Sequence, residues 1–165
     1  MRLTLHTDYA LRVLVHVGLG QGRLVTINEI AERYGISKNH LTKVVHQLGK
    51  SGYLETVRGK YGGVRLLAAP EDVRLSDLVR QTEGDFSLAR CMREQDEAEV
   101  SPCRLHARCV ARQAMEEGVT AFFSALDRYT LADMLAAEAP EDIPDRGPPQ
   151  RLSPHVKGDI LAELV

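Results

Sequence analysis

Apolar residues at Tyr9, Ala10, Val13, Leu14 and Val17 recur at helical spacing and predict a helix over residues 7–19, ended by Gly18, Gly20 and Gly22. TINE at 26–29 reads as a capping box, in which Thr26 accepts from a backbone N–H and Glu29 reaches back. A short helix should follow, with Ile27, Ile30, Ala31 and Tyr34 inward and Gly35 as its stop. Ser37 caps a third helix reaching about Lys50, with an apolar face of Leu41, Val44, Val45 and Leu48. Its other face shows Lys38, Asn39, His40, Lys43 and Gln47. Helix, glycine turn, helix is helix-turn-helix spacing.

The pattern then changes period. Tyr53, Leu54, Val57, Val64 and Leu66 predict two short strands, with RGKYGG at 58–63 as the hairpin tip and glycines free to take positive φ. A basic hairpin directly after a helix-turn-helix is the order of a winged helix. A further helix is expected over 73–82, on Leu75, Leu78 and Val79. A long helix should run from Cys109 to about Arg128. Its stripe of Ala111, Met115, Val119, Phe122 and Leu126 has near-heptad spacing. TLAD at 130–133 caps a last short helix, after which the proline-rich residues 138–165 read as a disordered tail. The expected fold is mainly α (α+β): a winged helix-turn-helix with a two-stranded wing and a long dimerisation helix. Residues 1–75 would form the DNA-binding domain, with the helix-turn-helix at about 26–50 and the wing at 53–67. Residues 76–137 would hold a connecting helix, a cysteine loop at 91–109 and the dimerisation helix.

Charge sharpens this picture. The net charge of −2 hides a split: ten Lys and Arg stand against four Asp and Glu in residues 1–70, and eleven against nineteen in the rest. A basic front half suggests a polyanion partner or a solvated basic surface, and beside a winged helix the expected polyanion is double-stranded DNA. In helix-turn-helix proteins the start of the second helix meets base edges in the major groove. That assigns Ser37, Lys38, Asn39, His40 and Lys43 to DNA. Asn39 can pair an adenine edge, and the lysines suit phosphates. Arg58, Lys60 and Tyr61 sit at the wing tip, with Arg65 nearby, for backbone or minor-groove contact. Such readers commonly work as two-fold dimers on palindromic half-sites, and the long stripe would pack against its mate in a homodimer, the alternative being the chain's own winged helix. No apolar run is long enough to span a bilayer and no cleavage motif follows the first helix, so a cytoplasmic protein without membrane contact is expected.

All three cysteines, Cys91, Cys103 and Cys109, lie in one charged segment. Their spacing fits neither a paired-thiol redox motif nor zinc knuckles. Three thiolates on one point suit a soft metal or an iron–sulfur cluster. The flanking Arg90, Arg93, Arg104 and Arg108 could offset their charge. His106 or Asp8 could supply a fourth ligand, and a non-thiolate ligand would leave one iron open to a small molecule. A zinc site completed by His106, free or switching thiols, and Cys109 as a core residue are the alternatives. No nucleophile elbow, metalloprotease helix or phosphate-binding loop is present, so catalysis is not expected.

Several segments together resemble the winged-helix iron–sulfur repressors, and within them the nitric-oxide-sensing group. They are MRLTLHTDYALRVL at 1–14, YGISKNHLTKVVHQL at 34–48, VRGKYGGVRL at 57–66 and SALDRYTLADML at 124–135. The resemblance implies a homodimeric repressor that releases its operators when nitric oxide attacks the cluster, allowing nitrosative-stress genes to be expressed. It implies Cys91, Cys103 and Cys109 as ligands of a cluster, 4Fe-4S in preference to 2Fe-2S. It makes Asp8 a fourth ligand reaching across from the partner chain. The eleven residues between Cys91 and Cys103 exceed the gap expected in the family. Repressors responding to iron supply or cluster status share the pattern and are the alternative.

Overall fold

In the computed structural model, which describes residues 2–92 and 109–138, the first helix, α1, spans Leu5–Leu19. It starts two residues earlier than its periodicity implies because its N-terminus is capped from a distance. Thr4 makes no side-chain cap. Instead the Glu83 carboxylate accepts from the Thr4 N–H at 2.6 Å and the Thr4 hydroxyl at 3.0 Å, and from the buried Thr7 hydroxyl. Gly18 does not end this helix. A Cβ there would stand 2.8 Å from the Leu135 methyl carbons, so Gly18 is the point of close approach between α1 and the last helix.

The Thr26–Glu29 capping box forms and starts α2, Ile27–Tyr34. Gly35 closes α2 at φ 63°, a left-handed turn that costs glycine little. Helix α3, Lys38–Lys50, buries Leu41, Val44, Val45 and Leu48. The wing strands β1, Leu54–Val57, and β2, Gly63–Leu66, pair antiparallel with Leu54 opposite Leu66 and Val57 opposite Gly63. Val25 pairs with Val64 from the other side of β2, through N···O distances of 2.9 and 2.8 Å. Of the three tip glycines only Gly59 takes positive φ. Gly63 is small for another reason, since a Cβ would lie 2.7 Å from the Val25 carbonyl oxygen.

A 3-10 turn, Pro70–Asp72, precedes α4, Leu75–Thr82, and a second one spans Arg90–Met92. Helix α5 is Val110–Leu126, and α6, Leu131–Ala137, opens on a second capping box made by Thr130 and Asp133. One core draws on nearly every element: Leu14, Ile30, Leu41, Leu48, Val64, Leu78 and Leu131 are all at most 2% exposed. Burying each such side chain is worth about 1.5–3 kcal/mol. This is an α+β winged helix, with α4 and α6 packed into the same core as the helix-turn-helix.

Helix α5 stands apart. Only Phe123 is buried on it. Met115, Val119, Phe122 and Leu126 of the predicted stripe are half-buried, and Ala111 is exposed. Its C-terminal end is fixed by the buried Ser76 hydroxyl, which donates to the Asp127 carboxylate. Among the described residues no helix is long and apolar enough to cross a membrane. Residues 139–165 lie outside the described residues.

Candidate functional site

The base-reading candidates fall on the face of α3 opposite its apolar stripe. Lys38, Asn39, His40 and Lys43 are exposed there. Ser37 is exposed as well, but its Oγ accepts from the His40 N–H at 3.4 Å, so its side chain serves the helix cap. The His40 ring lies 6.2 Å from that of Tyr9. Gln47 differs from the others on this face, because its Nε2 donates to the Gln81 carbonyl of α4 at 2.9 Å.

At the wing tip Arg58, Lys60 and Tyr61 are exposed, with Tyr61 at 83%. Lys60 Nζ lies 5.5 Å from the Tyr61 ring centre. Arg65 is held back from this group by Glu55, its partner across the ladder, at 2.7 Å. That hydrogen bond and the Glu55 charge push the Arg65 pKa up.

Cys91 sits in the Arg90–Met92 turn and Cys109 is the N-cap residue of α5. Both are free, half-buried thiols. Arg112, one turn into α5, relates them. Its pKa is raised first by the hydrogen bond and charge of Glu116, 2.7 Å away, and further by the charges of Cys91 and Cys109. Each thiol is a soft sulfur donor of the kind that suits a thiolate-bound iron or zinc centre. Arg90 lies in the same turn as Cys91, and Arg112 stands three positions after Cys109. Arg93, Cys103, Arg104, His106 and Arg108 lie outside the described residues.

Asp8 is in the first turn of α1, where its carboxylate accepts from Arg12 Nε at 2.9 Å. It lines a cleft of about 840 Å³ with Arg12, His16, Arg33, Tyr34 and Met134. The Arg12 guanidinium carbon lies 5.7 Å from the Tyr34 ring centre, and His16 meets the same ring edge-on at 5.7 Å. Burial pushes the His16 pKa down. Among the described residues no three His, Cys, Asp or Glu side chains converge on one point, so Asp8 does not join Cys91 and Cys109 within a chain.

Residues 3–137 match the family described as Rrf2, iron-dependent transcriptional regulator. The chain is similar to the HTH-type transcriptional regulator NsrR of Bacillus subtilis strain 168, 43% identical over 136 residues that cover 82% of this chain and 90% of that protein. It is equally similar to NsrR of Geobacillus kaustophilus, 43% identical over 140 residues that cover 84% of this chain and 92% of the other. Among solved structures, T. potens IscR superposes with a TM-score of 0.64 at 26% identity, over 87% of this chain and 93% of that one. CymR, the global cysteine regulator of B. subtilis, superposes with a TM-score of 0.61 at 23% identity, over 83% of this chain and 98% of its own.

Proposed function

The chain belongs to the Rrf2 family of transcriptional regulators, and from that premise we propose that it is a nitric-oxide-responsive repressor controlled by an iron–sulfur cluster. Cys91, Cys103 and Cys109 hold the cluster, with Asp8 from the partner subunit as fourth ligand. A 4Fe-4S centre is favoured over 2Fe-2S by the resemblance in sequence. When bound, the cluster supplies iron with which nitric oxide reacts. The observation that carries this reading is the pair of free, half-buried thiols, Cys91 and Cys109, at the two ends of the cysteine segment in a chain 43% identical to proteins named NsrR.

The chain's own residues supply the rest. Met115, Val119, Phe122 and Leu126, half-buried along α5, meet the same stripe of a second copy and set two winged helices on one palindrome. Lys38 and Lys43 bind phosphates, Asn39 and His40 read base edges, and Arg58, Lys60 and Tyr61 hold the backbone or minor groove beside them. Arg112 offsets the thiolate charge.

A second reading, a repressor that responds to iron supply, is favoured by the description of the matched family as iron-dependent. Both readings predict iron and sulfide in protein purified from oxygen-free cells. Zinc without iron would instead support a zinc-stabilised regulator. Release of DNA by nitric oxide in iron-replete protein separates the first reading from the second.

A further inference from the structure

Three consecutive residues at the end of α4 hold two other helices. The Gln81 carbonyl accepts from Gln47 Nε2, on the third turn of α3, at 2.9 Å. The Thr82 hydroxyl lies 2.8 Å from that of Thr7. Glu83 then caps α1 through Thr4 and Thr7. Burial pushes the Glu83 carboxyl up, but these hydrogen bonds outweigh it and hold it below the usual carboxylate range. Cys91 follows eight residues later in the chain.

We propose that residues 81–83 form a coupling joint between the cysteine segment and the DNA-reading helix, with Gln47 and Glu83 as its positioning residues. The proposal rests on the reading that the state of the cysteine site sets operator affinity. The physical argument is one of satisfied polar groups. The Thr7 contacts with Thr82 and Glu83 are part-buried, so breaking them leaves polar groups without partners, and the Gln47 contact adds an exposed tie to α3. A displacement of the chain entering the cysteine segment therefore either drags α1 and α3 with the end of α4 or breaks several hydrogen bonds together. Packed elements of this kind shift between discrete arrangements rather than deforming smoothly. One end of the joint meets the helix that carries Asn39 and Lys43, and the other meets the helix that carries Asp8.

The test uses full-length protein purified without oxygen, with Gln47→Met, which keeps the shape and loses the donor, and Glu83→Gln, which keeps the shape and loses the charge. In iron-stripped protein, amide hydrogen exchange should rise about fivefold, the effect of one lost hydrogen bond. In Glu83→Gln the rise should reach residues 46–50 of α3, and in Gln47→Met it should reach residues 82–86. On a duplex selected from a random pool by wild-type protein, each variant should cut the ratio of iron-loaded to iron-stripped affinity by about fivefold. If wild type itself shows no such ratio, the reading under Proposed function fails, and the exchange experiment still decides on the joint. Exchange changes confined to the substituted element overturn the proposal. So do unchanged ratios in both variants when wild type switches.

Discussion

The Arg80 guanidinium carbon stands 3.5 Å from the centre of the Phe123 ring, and Phe86 meets the same ring edge-on at 4.6 Å. Phe123 is 3% exposed and is the buried residue of α5. This contact fixes the long helix to α4 and to the segment that leads to Cys91. Phe123→Ala should cost about 3–5 kcal/mol, the usual range for a buried aromatic. Arg80→Ala should cost about 0.5–1 kcal/mol, the range for a cation–π contact at an exposed arginine. Denaturant midpoints measure both. A wild-type midpoint for Phe123→Ala would mean that α5 is anchored elsewhere.

The wing depends on Gly63. Its missing Cβ lets Val25 pair with β2, and the obstacle to a side chain is a backbone carbonyl at 2.7 Å rather than a movable group. Gly63→Ala should destabilise the protein by about 1–3 kcal/mol. It should also raise hydrogen exchange at the Val25 and Val64 amides. Protection equal to wild type at both amides would contradict this.

Acid should loosen the start of α2. The Thr26 backbone hydrogen bond and the Arg23 side chain hold Glu29 at about 2, against 4.5 for the free group. A carboxylate lowered in the folded state contributes stability that is fully present above pH 4.5 and is lost as pH falls toward 2. Glu29 is 40% exposed, so water screens much of the Arg23 contribution. The cap itself is worth about 1 kcal/mol. Glu29→Gln should therefore lower stability at pH 7 and flatten its decline between pH 4.5 and 2. An unchanged slope would show that other carboxylates govern it.

On DNA, Lys43→Ala should weaken specific and random duplexes alike and reduce the salt slope by about one unit. Asn39→Ala should cost about 1–3 kcal/mol and relax preference at one base position. Affinities measured across salt concentrations and across single-base variants check both. An unaltered base preference removes Asn39 from the reading set.

What the sequence made legible was local. The capping box of Thr26 with Glu29 formed as its spacing implied, as did the Thr130 helix cap, the Gly35 turn and the buried stripe of α3. These features lie within a few residues of one another, so periodicity and cap chemistry encode them directly. The misses were contacts between distant residues. Gly18 looked like a helix stop because its partner, Leu135, lies in another helix. Glu83 as the cap of α1, Val25 as a third partner in the wing and Phe123 as the anchor of α5 depend on residues brought together only by folding. At the cysteine segment, the influence of the Cys91 and Cys109 charges on Arg112 likewise depends on contacts made only by folding.

The most direct test of the account follows operator affinity in one anaerobic, iron-loaded sample before and after nitric oxide, with the visible spectrum recorded alongside. The account predicts tight binding at first, then bleaching of the cluster absorbance and release of the duplex in step with it. Unchanged DNA affinity after the absorbance has gone would contradict it.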